Sequence, residues 1–303
     1  MPKLTTITPA YNRVHTLPRT YKSLLRQSCK DFLWLIVDDG STDGTTELVH
    51  QWQTQDNGFE IQYIHKDNGG LHTAYNTAIA ELSTELATCI DSDDWLVDEA
   101  VEKILLKWTS DGNEHLAGIE ALDCYADGEI IGDLLPNQET INLIDLYVGK
   151  YHIKNGDRKP VVRSDLYKSV APMPTLNGEK NFNPHYMHLQ ISLKYDFLVM
   201  NEPVCYVEYQ PDGMSQNIFK QYFDSPNSFA QLRRLCMQFQ EAPLLFKIKN
   251  ASHFDSSCIL AKHIQGIWKE STVPFLTCCL LLPGALLSGL TSILAKKYSW
   301  EKK

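Results

Sequence analysis

Three of the four strand-like runs in residues 4–90 end in a polar turn, and that repetition narrows the fold more than any other feature. Leu4-Thr5-Thr6-Ile7-Thr8 stops at Pro9 and leads into Ala10-Tyr11-Asn12. The apolar run 32–37 closes on Asp38-Asp39-Gly40-Ser41, and the run 86–90 closes on Asp91-Ser92-Asp93-Asp94. Segments of helical spacing separate them. Leu17, Tyr21, Leu24 and Leu25 lie in the first, and Glu47, Leu48 and Trp52 follow the N-cap chemistry of Ser41-Thr42-Asp43. Residues 61–65 read as a further strand and residues 71–82 as a helix after Gly69-Gly70. A run apolar at every position suits a strand covered on both faces. Strand–helix alternation then predicts a mostly parallel sheet flanked by helices, with ligands beyond the carboxyl ends of its strands.

On such a rim the acidic turns acquire chemical meaning. Asp91 and Asp93 flank one residue, which aims two carboxylates from a sharp turn toward one point. Hard cations such as Mg²⁺ or Mn²⁺ are held by one or two carboxylates together with phosphates. A single Asp-rich turn is more often a helix cap, the role expected of Asp43 and Asp98. Three clusters at three strand ends are poorly explained that way.

Thr8-Pro9-Ala10-Tyr11-Asn12, residues 37–45, Asn68-Gly69-Gly70 with Asn76, and Asp91-Ser92-Asp93-Asp94 together resemble family 2 of the inverting glycosyltransferases. The nucleotide-sugar fold of that family is called GT-A. The resemblance covers roughly residues 4–100, then thins to Gly178-Glu179-Lys180 and Glu208-Tyr209 with Asp212-Gly213-Met214-Ser215. It implies that Pro9, Tyr11 and Asn12 line the nucleobase and ribose, and that Asp39 accepts from a uracil-type imide. It also implies that Asn76 approaches the nucleotide, that Asp91 meets ribose or metal, and that Asp93 ligates the metal bridging the diphosphate. Ser215 belongs to a loop expected to close over donor or acceptor. Where the family often carries Arg or Lys before Asn76, this chain has Leu71 and Tyr75. Phosphate charge then falls to the metal, to backbone N–H groups near Gly70, or to His72, which is otherwise a helix-surface residue.

Inversion requires a base for the acceptor hydroxyl. In similar sequences an acid commonly follows the proline of the segment 178–185; here that position is His185. His185 and Glu179 are the two candidates, a histidine of near-neutral pKa being competent for the task.

The sequence has 303 residues and a net charge of −9, which argues against a nucleic-acid binder. Eight cysteines without a C-x-x-C pair fit a reducing cytoplasm, and no signal-peptide pattern opens the chain. The expected organisation is a GT-A domain over 1–217, with a nucleotide-binding half 1–109 and an acceptor half 110–217. A helical C-terminal extension occupies 218–303. Residues 273–295 contain no charged side chain, and as one helix they would span about 34 Å. Pro283-Gly284 is expected to break or kink it. Residues 260–303 carry six lysines against two glutamates, a net of +4. A hairpin or interfacial segment at the inner face of the membrane is favoured over a full span.

The activity expected is transfer of a sugar, in polysaccharide biosynthesis, from a nucleotide-diphosphate donor of UDP type to a saccharide or lipid-linked acceptor. The rivals are a sugar-1-phosphate nucleotidylyltransferase and an inactive nucleotide-sugar-binding membrane scaffold.

Overall fold

A computed structural model describes residues 2–154, 156–210 and 218–300, apart from the side chains of 298–300. Its first elements are β1 (Leu4–Ala10), α1 (Leu17–Arg26), β2 (Phe32–Asp38), α2 (Thr45–Gln53), β3 (Glu60–His65), α3 (Leu71–Glu81), β4 (Leu86–Cys89), β5 (Trp95–Leu96) and α4 (Ala100–Asp111). There follow β6 (Leu116–Cys124), β7 (Thr140–Ile141), α5 (Leu143–Tyr147), β8 (Arg158–Arg163), α6 (Ser164–Val170), α7 (His185–Ser192) and β9 (Asp196–Tyr206). The chain continues as α8 (Ile218–Asp224), α9 (Pro226–Met237), α10 (Leu244–Leu260), α11 (Gly266–Lys269), α12 (Pro274–Cys279) and α13 (Leu281–Trp300).

The strands form one mixed sheet in the order β3-β2-β1-β4-β8-β6-β9-β5, with β7 paired to β9. β1 is parallel to β2 and β4, and β2 to β3, as the strand–helix alternation predicts. Every residue of β1 and β2 is buried because helices cover both faces. On one face Tyr21 of α1 stacks on Trp52 of α2, ring centroids 4.3 Å apart. Trp34 lies beside them, wholly buried, and donates through Nε1 to Thr8 Oγ1 at 2.9 Å.

Beyond residue 110 the sheet departs from a simple alternation. β8 runs antiparallel to β4 and β6, while β6 and β9 are parallel. After β6 the chain folds back at Asp127-Gly128 through one bridge, between Cys124 and Ile130. The Asn201-Glu202-Pro203 interruption is absorbed as a register shift: Ala121 pairs with Met200, and Leu122 pairs with Pro203. A proline lacks the N–H a regular ladder needs, so a bulge there is its natural accommodation.

The chain divides into two compact units, residues 1–173 with 187–208, and residues 174–186 with 209–303. The boundary therefore differs from the expected 217/218, and segment 174–186 groups with the C-terminal helices. Hydrogen bonds supply the reason: Glu179 holds the start of α9, and Asn181 donates to Gln221 of α8. In this second unit the apolar tail is two helices parted at Leu280, not one helix broken at Pro283. Pro283 sits in the first turn of α13, where its missing N–H has no intrahelical partner to lose. Among the described residues no helix is long and apolar enough to cross a membrane, which removes the full-span alternative.

Candidate active site

Parallel pairing of β1 with β2 and β4 brings three polar turns to one rim. Asp39 N donates to Ala10 O, and Ile90 N to Ile7 O, each at 2.8 Å. The chain therefore leaves the sheet side by side at residues 11–13, 39–41 and 91–94. Asn12 adopts φ +54°, a left-handed conformation that Asn tolerates better than most residues. Its N–H donates to Ser41 Oγ, and its Oδ1 accepts from Thr42 N, both at 2.8 Å. Asp43 accepts from Val14 N and Thr45, which latches the first two turns together. Pro9 is buried within β1 opposite Val37, whereas Tyr11 is 49% exposed beside it. Asp38 is fully buried. Burial works to raise its carboxyl, but hydrogen bonds from Ser41 and Tyr63 hold it below its ordinary value.

Asp39 organises the next segment. Oδ1 accepts from Lys66 Nζ at 2.7 Å and Gly69 N at 2.9 Å, and Oδ2 accepts from Gly70 N at 2.7 Å. Asn68 Nδ2 adds a bond to Asp39 O. The N–H groups of Gly69 and Gly70 thus point at a carboxylate, which corrects the expectation that they serve a phosphate. Gly70 has φ +95°, so a side chain there would strain the backbone that makes this contact.

The third turn carries the acids. Asp91 is exposed and Asp93 half-buried. Burial, then the neighbouring Asp91, raises the Asp93 carboxyl, with Arg13 and Arg19 partly offsetting this. Arg19 packs its guanidinium 3.9 Å from the Trp95 ring centroid and donates to Asp93 O and to Glu208 Oε2. Behind the turn, Lys159 Nζ stands 3.6 Å from Asp123 Oδ2, both buried. Burial opposes the Lys159 charge, but Asp123, Asp94 and Asp91 hold its amine above the ordinary value. Burial also drives Asp94 upward despite Lys159.

Among the described residues no group of three or more His, Cys, Asp or Glu forms a metal cage. What the rim offers is two carboxylates one residue apart, Asp93 being raised first by burial and then by Asp91. This donor set fits a hard divalent cation that completes its shell with diphosphate oxygens and water.

The other expected site residues belong to α3 and to the second unit. His72 is buried, 1% exposed on α3, so it is not a helix-surface residue. Asn76 exchanges both amide bonds with the Met173 backbone, donating at 2.9 Å and accepting at 2.8 Å, which makes it a tether across 97 residues. In the second unit, Glu179 is 6% exposed. Its two oxygens accept from Asn227 N and Nδ2 and from Ser228 N and Oγ, at 2.6–2.8 Å. A carboxylate on the first N–H groups of α9 is a helix cap. His185 opens α7, its N–H donating to Asn183 Oδ1, and burial pushes its imidazole down to about 4. Ser215 lies outside the described residues.

Sequence reasoning missed Lys66, Arg19 and Lys159. Lys66 directly follows β3, so its strand-end position on the same rim was a usable signal. Arg19 and Lys159 carry no local signal, because each meets its partners through tertiary packing.

Comparison with known proteins bears on the family and the fold. The sequence profile described as glycosyl transferase family 2 matches residues 5–128. The GalNAc(5)-diNAcBac-PP-undecaprenol beta-1,3-glucosyltransferase of Campylobacter jejuni is 32% identical over 120 residues, covering 39% of this chain and 38% of that protein. The chain spans from about one tenth to two fifths of the length of the curated relatives it matches. Residues 1–349 of TarS from S. aureus, solved in complex with UDP-GlcNAc, superpose with TM-score 0.58 and 14% identity, covering 95% of this chain and 90% of that one. The mannosyltransferase PcManGT from Pyrobaculum calidifontis, in complex with GDP-Man and Mn2+, gives TM-score 0.57 and 17% identity, covering 100% and 88%. At those identities the likeness shows the fold, which is GT-A.

Proposed function

We propose that the chain, matched by the glycosyl transferase family 2 profile over residues 5–128, is a transferase of that family and moves a sugar, with inversion, from a nucleoside diphosphate donor to a saccharide or lipid-linked acceptor. The observation that carries the reading is the single rim on which Asn12, Asp39, Asp91 and Asp93 meet, set by the pairing of β1 with β2 and β4. The fold-level likeness to TarS with UDP-GlcNAc supports a UDP-linked donor.

In this reading Tyr11 lies against the base, and Asn12 shapes the loop beneath it. Asp39 Oδ2 accepts from Gly70 and keeps a lone pair for the imide N–H of uracil. Lys66, held beside Asp39, puts positive charge next to the nucleotide. Asp93 and Asp91 would hold a divalent cation, and that ion would supply positive charge against the negative charge growing on the departing diphosphate. The acceptor oxygen bonds to the anomeric carbon as the bond from that carbon to the diphosphate breaks, and the hydroxyl proton passes to the base. Glu179 is committed to the start of α9, so we assign the base to His185. Burial keeps its ring neutral at any pH above about 4, which makes it a weaker base than the near-neutral histidine expected from the sequence.

The test is a panel of nucleotide sugars with Mg²⁺ or Mn²⁺, read by nucleoside diphosphate release. Chelator-sensitive release of UDP from a UDP-sugar is the expected result. Pyrophosphate-dependent formation of nucleoside triphosphate would instead mark a nucleotidylyltransferase, and binding without turnover a scaffold.

A further inference from the structure

Helix α13 is inverted for a helix surrounded by water. Gly284, Ser288, Thr291 and Ala295 are buried, whereas Leu282, Leu286 and Ile293 are 71%, 68% and 68% exposed. Both series follow the i, i+4, i+7, i+11 spacing of a single helix face, with exposed Gly289 completing the second. They are offset by two residues, about 200° of rotation, and so occupy opposite faces. The small face meets α10 so closely that a Cβ on Gly284 would lie 2.5 Å from Asp255 Cβ. A helix at a water-facing surface turns its large apolar residues inward and its hydroxyls outward. Small residues between helices with leucines outside is the pattern of helices in an apolar medium.

The neighbouring residues extend this face and give it a charge. Phe275 of α12 is 84% exposed and Trp268 of α11 47%. Residues 271–297 contain no Asp or Glu, Lys269 precedes them, and Lys296 and Lys297 close the run. No described helix is long and apolar enough to cross a bilayer. We infer that the outward face of α12 and α13 lies in the headgroup–acyl boundary of an anionic lipid bilayer, the leucines and Phe275 inserted and the lysines at the phosphates. A partner of this chemistry matches both the apolar stripe and its basic ends. The inference does not depend on which donor or base the transferase domain uses.

Flotation of the full chain with phosphatidylcholine vesicles, with and without phosphatidylglycerol, tests it. The wild type should float with the phosphatidylglycerol vesicles and be released by high salt. The triple variant Leu282→Ser, Leu286→Ser, Ile293→Ser should lose affinity on the order of a hundredfold. Its circular dichroism and nucleotide-sugar turnover in solution should stay unchanged, since these side chains already face outward. Lys296→Gln with Lys297→Gln should weaken binding only to the anionic vesicles. Failure of the wild type to float overturns the inference. So does a wild-type dimer that the triple variant converts to monomer without any vesicle binding, which would make the face a contact between two copies.

Discussion

Helix α1 buries Leu17, Tyr21 and Leu24 and exposes Lys22 and Arg26, whereas α13 buries Gly284, Ser288 and Thr291 and exposes Leu282, Leu286 and Ile293. The two helices come from different compact units of one chain, and they place opposite chemistry on the outside. In the first unit the apolar residues cover the sheet, and polar side chains are gathered at strand ends for a ligand. In the second, close helix contact through small residues leaves Leu282, Leu286 and Ile293 mostly exposed. The outer face of α13 is thus an apolar surface of the kind that marks a contact site.

Substitutions at four positions would break or sharpen this contrast. At the rim, Asp93→Ala should lower transfer on the order of a hundredfold to a thousandfold without loss of fold, read by diphosphate release at saturating donor and metal. Full activity under those conditions would remove the carboxylate from the metal role. In the second unit, Glu179→Ala should destabilise by about 3 kcal/mol in urea denaturation, because it leaves the four donors at the start of α9 without their acceptor. Folded Glu179→Gln should retain most of its kcat, and a collapse there would return the base to Glu179.

Asp255 should move stability the other way. It is fully buried on α10, both carboxylate oxygens lack hydrogen-bond partners among the described residues, and burial pushes its carboxyl up to about 7 from 3.8. The folded chain therefore keeps a proton that the unfolded chain releases above about 4. Stability is lost as pH rises from about 4 to 7, and the penalty is complete above that. Asp255→Asn should stabilise by about 2 kcal/mol at pH 8 and by little at pH 4, measured as the difference in thermal melting. Smallest of all, Leu286→Ser should change stability in solution by less than about 0.5 kcal/mol, since its side chain is already exposed. A loss above about 2 kcal/mol would show that α13 buries that face within the protein.

Much of the first unit was legible in the sequence. Apolar runs ended by polar turns marked β1, β2 and β4, and parallel pairing followed from the intervening helices. The second half of the sheet was less so. β8 enters between β4 and β6 from a distant part of the chain, and no local periodicity announces an antiparallel partner. The site shows the same division. The rim positions of Asp39, Asp91 and Asp93 follow from their place at strand ends, and that of Lys66 needed only the same rule applied to β3. Asn76 and Glu179 had the right residue type for a site, but the fold gives them other partners, Met173 and the start of α9.

The order of residues alone determined the repeating strand and helix pattern, the acidic turn and the basic, apolar character of the tail, because periodicity and turn chemistry are local properties. Tertiary structure decided which polar groups remain available. A carboxylate's lone pairs are taken up by whichever donors the fold brings within about 3 Å, and those donors lie 27 to 49 residues away for Asp39 and Glu179. It decided also which face of α13 points outward, since Leu282 and Gly284 differ by only two residues, and only the packing of α10 selects between them.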